Sequence, residues 1–426
     1  MNRAVGRTGG LVVGMAALLL TAGPSARPSA ALPACDPDNG GITLPAGFCA
    51  VVVADQVGAP RHLAVAPNGD LFVALAGRRS GGGGILALRD TSGDGKADVQ
   101  GSIGSDGGTG IALGKGALYF ATASTVYRYV MRAGSLAALG PPDVIVKNLP
   151  TGGHSAKNLA LAPDGRTLFV NIGSGSNSCQ SNDRSNESPG LDPCPELAYR
   201  AGVWRFDATK HDQTEADGTR FATGIRNAVG LALAPSGELY ATQHGRDQLG
   251  QNWPKLFSLE QSAEKPSEEF FKLAEGNDYG WPYCYHDPEL GHLVLAPEYG
   301  GDGKTPGRCK EKQEPQVGFP AHWAPDGLVF YGGTQFPASY RGGAFVAFHG
   351  SWNRAPLPQD GYRVVFVPFK AGKPVGTYEA FADGFWHQNG AGPQHRPVGV
   401  AVGPDGSLYI TDDAAGRIWR VMYRGR

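Results

Sequence analysis

Apolar and polar positions alternate along this chain in a short cassette that recurs from end to end. An apolar run enters a Pro-(Asp/Asn/Ser)-Gly step and leaves as a second apolar run. Clear copies occupy residues 63–74 (LAVAPNGDLFVA), 159–170 (LALAPDGRTLFV), 231–241 (LALAPSGELYA) and 400–410 (VAVGPDGSLYI). Weaker copies occupy 111–120 (IALGKGALYF) and 324–330 (APDGLVF). The Pro pre-sets the entry to a tight turn and the Gly takes the positive φ that the turn needs. The flanking runs are apolar and β-branched, as buried strands are. Six such hairpins predict an all-β fold, a six-bladed β-propeller of four-stranded antiparallel blades. Closing the ring leaves no long strand edge exposed.

A bare blade needs about 40–50 residues. The cassette spacing leaves an excess after Pro163 and again after Pro235. Residues 174–199 therefore read as a polar loop. Residues 248–320 read as a longer one, with an amphipathic stretch at 267–274 predicted as a helical turn or two. Long loops on a rigid β scaffold are where binding usually resides. No linker interrupts residues 32–426, which read as one propeller domain. The 64 Gly and 32 Pro suit a turn-rich array. Lys plus Arg is 38 and Asp plus Glu is 39. Charge therefore gives no case for nucleic acid or an anionic membrane as partner.

Residues 1–31 read as a secretory signal peptide. Arg3 and Arg7 form its basic start, 11–22 its apolar core, and Ser29-Ala30-Ala31 a cleavage site. The apolar core is too short to span a bilayer, so no transmembrane segment is expected in the mature chain. The expected location is periplasmic or secreted. Six cysteines behind an export signal imply disulfides. Their spacing favours neighbours: Cys35 with Cys49, Cys179 with Cys194, Cys284 with Cys309. The last two pairs would pin the two long insertions.

Register concentrates the candidate chemistry. His154 lies nine residues before Pro163, Arg226 nine before Pro235, and His395, beside Arg396, nine before Pro404. His244 lies nine after Pro235 and Asp413 nine after Pro404. Both open ends of a hairpin lie opposite its turn, so His154, Arg226, His244 and Arg396 should meet at one mouth of the ring. The titration range of His154 suits a general base. Arg226 offers a fixed fork of donors for an oxyanion or carboxylate. Gly245 frees its loop to turn carbonyls toward a ligand or cation. Separately, Asp90, Ser92, Asp94 and Asp98 follow the opening of a calcium loop, although Gly101 stands where the bidentate Glu belongs. An ordinary turn would use the same residues. The glycine run at 81–84 precedes no helix, and no serine has the context of a nucleophile elbow.

Together these motifs resemble a known family. Gly-His-Ser before one cassette, Gly-Ile-Arg-Asn before the next, His-Gly-Arg-Asp after it, Tyr279-Gly280-Trp281-Pro282, and Arg396-Pro397-Val398-Gly399 are similar to the soluble glucose/sorbosone dehydrogenases. These are secreted propellers that use pyrroloquinoline quinone (PQQ). His349-Gly350-Ser351-Trp352-Asn353-Arg354 is closer to the sorbosone and pyranose branches. The resemblance implies oxidation of a sugar by hydride transfer to PQQ with Ca²⁺ assistance, and an external electron acceptor, a cytochrome or a quinone. It implies His154 as base and Arg226 and Asn227 facing the quinone carbonyls. It also implies active-site Ca²⁺ on the carbonyls of Gly245 and Arg246. Arg396, with His244, Trp323, His349, Trp352 and Arg354, falls among the cofactor-binding positions. There are departures. His244 replaces a Gln, Ser174 replaces the acid that orients the base, and Val398 replaces the second of two arginines. No Lys follows 344–348, where His349 or Arg354 stands in.

Two other readings compete. A Ca²⁺-dependent lactonase would need a central cage of Asp, Asn and Glu, where this chain places His and Arg. A secreted binding propeller would use the same cationic mouth to hold an anionic or carbohydrate ligand.

Overall fold

Five of the six cassettes are the inner hairpins of four-stranded antiparallel blades, because their two apolar runs must be covered on both faces. The structure, a computed structural model, describes residues 1–6, 9, 32–78, 81–386 and 392–425. Most of the expected signal segment lies outside them. Pro33–Arg426 forms one compact unit. Among the described residues, no helix is long and apolar enough to cross a membrane.

The innermost strands are Pro60–Val65, Gly108–Gly114, Leu159–Leu161, Leu231–Leu233, Pro325–Phe330 and Pro397–Val402. Each touches the next, and the last returns to the first. Blade six takes its outer strand from the other end of the chain. Phe48–Ala54 pairs antiparallel with Ile418–Tyr423, which latches the ring. Six apolar clusters fill the six interfaces between neighbouring blades.

The inner strands approach so closely that four of the six axial positions are glycine. A Cβ on Gly327 would stand 2.2 Å from the Val398 carbonyl oxygen, and one on Gly399 2.6 Å from that of Arg61. Gly110 and Gly230 are equally crowded. At the other two positions His62 and Asn158 reach across and close the axis, with His62 Nδ1 2.7 Å from Asn158 Oδ1.

Two expectations change here. Pro325-Asp326-Gly327 is not a turn. It lies inside the strand Pro325–Phe330, which pairs with Ala344–Phe348, and the connection runs through 331–343. Gly327 is needed for close approach at the axis, so it is extended where the turn glycines Gly69, Gly165, Gly237 and Gly406 have positive φ. Residues 267–274 are not helical. Glu268–Leu273 is the third strand of blade four, buried at five of its six positions. The helices of that insertion are Leu249–Asn252 and Leu259–Glu264.

The three disulfides join Cys35 to Cys49, Cys179 to Cys194, and Cys284 to Cys309. The last two share one apolar cluster with Trp281, Tyr283 and Leu293, so the two insertions brace each other.

Gly327→Ala should therefore cost on the order of 1–3 kcal/mol, the usual scale of overpacking. Gly332→Ala meets nothing within 4 Å and needs no positive φ, so it should be neutral or slightly stabilising. Denaturant midpoints of the two variants check this. Equal effects would contradict a ring whose diameter is set by its axial glycines.

Candidate functional site

The mouth is built from segments that leave the inner hairpins opposite their turns. His154 follows two glycines of positive φ on the loop into blade three. Arg200 fastens that loop by donating to the carbonyls of Gly152 and Gly173. His154 Nδ1 lies 2.9 Å from Ser174 Oγ and 3.2 Å from the Ser174 carbonyl. Ser174 Oγ spends its only proton on the Ser176 carbonyl, at 2.7 Å. The serine must therefore accept from the ring, which fixes the proton on Nδ1 and leaves Nε2 as the basic nitrogen. Burial, then the charges of Arg226 and His244, hold the His154 pKa well below its usual value. At neutral pH the ring is an uncharged base with one free lone pair.

Arg226 is 2 % exposed. Its Nε donates to the Asn177 carbonyl at 3.1 Å, Nη1 to the Gly245 carbonyl at 2.8 Å, and Nη2 to Asn177 Oδ1 at 2.9 Å and Asp247 Oδ2 at 3.0 Å. Burial works against charge on Asp247, yet Arg226 and Arg184 hold its carboxyl well below the usual range. Asn353 Nδ2 donates to the same carboxylate at 2.8 Å, which ties the 349–354 segment to the mouth. Asn227 lies alongside with a buried amide oxygen that has no partner.

A chain of polar and charged side chains links blades four, five, one and six. His244 Nε2 lies 3.0 Å from Asp326 Oδ1. Arg61 bridges Asp326 Oδ2, at 2.9 Å, to Asp413 Oδ2, at 2.7 Å. His349 Nε2 lies 2.8 Å from Asp413 Oδ1. Burial opposes charge on His244, but Asp326 more than offsets it and raises the pKa. Arg396 Nε and Nη2 donate to the carbonyls of His349 and Gly350, and Nη1 stays uncommitted. His154, Arg226, Asn227, His244, His349 and Arg396 thus gather in one region, bridged by Arg61 and Asp326. Sequence reasoning missed those two. The signal for Asp326 was hidden in a motif read as a turn. Arg61 sits at the equivalent register of blade one, a position the cassette did not include.

Other expected site residues make no hydrogen bond to this network. Trp323 is buried against Phe348, and Arg363 covers its ring at 4.7 Å. Arg354 is spent on the carbonyls of Pro358, Ala263 and Ala321. Trp352 is 67 % exposed and stands out from the segment that Asn353 holds against Asp247. His395 pairs with Asp412 and packs edge-on to Trp419. Asp90 and Asp98 accept from backbone N–H groups of their own loop. That loop is a self-capped turn, and no cluster of three His, Cys, Asp or Glu able to hold a metal exists among the described residues.

Fold and mouth together define a six-bladed propeller with a rigid, cation-rich face and one oriented neutral histidine. The chain belongs to the TrAA12-like family, whose profile matches residues 42–424. A PQQ-dependent pyranose dehydrogenase of Coprinopsis cinerea is 26 % identical over 262 residues, covering 52 % of this chain and 34 % of that protein. The curated relatives are matched over only about a third to a half of their own length. Among solved structures, the holo PQQ domain of pyranose dehydrogenase from C. cinerea superposes with TM-score 0.73 at 19 % identity, covering 89 % of this chain and 97 % of that one. The calcium structure of a Trichoderma reesei family AA12 enzyme gives TM-score 0.73 at 20 % identity, covering 90 % and 97 %. The propeller expected from the hairpins is the fold of these proteins.

His154 in the folded chain should stay neutral well below the pH at which the same residue in the unfolded chain titrates, near 6.5. The folded value is the lower one. The unfolded chain therefore binds the extra proton first, and stability falls as pH drops below about 6.5. Histidine NMR titration of the wild type and of Arg226→Gln checks the cause. Removing the guanidinium should move the His154 inflection upward. A wild-type inflection near 6.5 would contradict the electrostatics described.

Proposed function

We propose that the protein is an exported quinoprotein that oxidises a sugar by hydride transfer to pyrroloquinoline quinone. The observation that carries this reading is His154, a neutral base whose Nδ1 is held by Ser174 and whose Nε2 carries no bond. The uncommitted Nη1 of Arg396 can donate to a carboxylate of a planar tricarboxylate quinone, and the orphaned amide oxygen of Asn227 can accept from a sugar hydroxyl. His244, whose pKa Asp326 raises, can add positive charge in place of the missing Lys, and His349 lies 2.8 Å from the Asp413 carboxylate. When bound, the quinone supplies the electron sink that accepts hydride. This chain's residues do the rest. His154 Nε2 takes the hydroxyl proton from the carbon that loses hydride. Arg226, immobile and dry, holds the loops of Asn177 and Gly245 around the reacting region. Trp352 offers an exposed indole on which a sugar ring can stack. An external cytochrome or quinone would carry the electrons away. The three disulfides support an oxidising compartment, periplasmic or extracellular.

Calcium fits less well. The Gly245 carbonyl assigned to the cation already accepts from Arg226 Nη1, and the His244 carbonyl faces the same guanidinium at 3.4 Å. No step here is routed through Ca²⁺. The lactonase reading lacks its carboxylate cage, and the binding-propeller reading is the outcome if quinone binds without turnover.

Adding quinone to the purified chain and following dye reduction with a panel of sugars tests the proposal. His154→Ala should lower turnover by about two to four powers of ten, the usual worth of a positioned base, with quinone affinity retained. Near-normal turnover in that variant would remove His154 from the chemistry.

A further inference from the structure

The second inner strand of every blade carries an aromatic at the same register: Phe72, Tyr119, Phe169, Tyr240, Phe345 and Tyr409. Each lies opposite an alanine of the first inner strand, or opposite Val329 in blade five. Each packs into the apolar cluster shared with the following blade. Five of the six are capped there. Tyr119 Oη donates to the Ala208 carbonyl at 3.3 Å. Phe169 meets Phe221 at 5.0 Å between ring centres, Tyr240 meets Phe330 at 5.1 Å, and Phe345 meets Phe381 at 4.6 Å. Arg420 stands over Tyr409 at 5.9 Å. Phe72 has no ring or cation against it among the described residues.

A cleft of about 390 Å³ opens over Phe72 instead, between the hairpin turns of blades one and two and so on the face opposite the mouth. That is the size of a small-molecule site. Ala66, Pro67, Phe72, Leu113, Ala117 and Met131 make its wall mostly apolar. The wall is braced from outside. Arg89 donates to both oxygens of Asp70, at 2.7 and 2.6 Å, and its Nη2 also reaches the Gly134 carbonyl at 2.7 Å, which ties residues 131–135 of blade two to blade one. Three charged side chains line the cleft: Asp70, Lys115 and Arg132. Arg89 neutralises Asp70. Lys115 and Arg132 are exposed, and neither has a carboxylate partner among the described residues. The cleft is an apolar trough with a positively charged rim.

We propose that this cleft binds a small amphiphilic carboxylate, a medium-chain fatty acid anion, with its chain over Phe72 and its head group at the Lys115 and Arg132 rim. The chain caps Phe72 as side chains cap the other five aromatics. The carboxylate takes charge-assisted hydrogen bonds from the two cations. A neutral apolar ligand leaves those cations unused, and a small inorganic anion leaves the apolar wall wet. The site lies on the face opposite His154 and Arg226, so it does not rest on the quinone reading.

The test titrates octanoate into the full chain by calorimetry at constant ionic strength, with acetate and 1-octanol as controls. Octanoate should saturate a single site with a negative heat-capacity change, the mark of apolar burial. Acetate should show no binding, and octanol should bind more weakly than octanoate. Replacing both cations, Lys115→Gln with Arg132→Gln, should weaken octanoate roughly threefold to tenfold, the worth of one or two exposed ion pairs, and leave octanol unchanged. Both positions are exposed, so the double variant should fold. The cationic mouth is the rival site, and crystals soaked in 8-bromooctanoate separate the two. The anomalous peak of the bromine should lie in the cleft beside Phe72. A peak at the mouth, no peak at saturating ligand, or a peak without calorimetric binding, which means binding at crystal concentration only, overturns the proposal. So does octanol binding as tightly as octanoate, or a double variant that keeps wild-type affinity for octanoate.

Discussion

The mouth of this propeller depends on one buried cation. Arg226 has lost nearly all contact with water, so every N–H it carries must be met by protein. It meets them with Asn177, from the first long insertion, and with Gly245 and Asp247, at the entry to the second. Loops with few strands of their own are thereby fixed from inside. Burial, and after it the same charge, keeps the proton off His154. One guanidinium thus sets the geometry of the loops and adds to the burial that keeps the base beside them neutral. Arg226 follows a glycine of positive φ, Gly224, whose Cβ would meet Asp278 Oδ1 at 2.2 Å. The turn that aims it tolerates no side chain.

The ring supplies rigidity for everything else. His244, Asp326, Arg61, Asp413 and His349 come from four blades and meet in one line of contacts. Most of its members are paired and at least partly buried, so it can hold groups in place with little reorganisation when a ligand arrives. It forms only because six inner strands close at their glycines and the N-terminal strand latches the last blade.

Much of the fold was legible because hairpin turns carry their own chemistry. Asn68-Gly69 or Asp405-Gly406 between apolar runs has few other uses. The same habit misled at Pro325-Asp326-Gly327, where the glycine serves close approach at the axis and the aspartate serves Arg61. A period-based reading also took Glu268–Leu273 for helix, because a strand covered on both faces has no alternation to show. The candidate site was legible where register repeats, as at His154, Arg226 and His244. It was not legible at Arg61, whose meaning depends on a carboxylate 265 residues away. Trp323 and Arg354 were expected at the cofactor only through the family resemblance; Trp323 packs against Phe348 and Arg354 donates to backbone carbonyls.

The central claim is that the oriented histidine and the cationic mouth form a single site for a planar, multiply charged quinone. A crystal structure of the chain loaded with pyrroloquinoline quinone tests it most directly. The account predicts density at the mouth in contact with His154, Asn227 and Arg396, with His154 Nδ1 still on Ser174. Quinone bound on another face, or His154 turned so that Nδ1 meets the ligand, would contradict it.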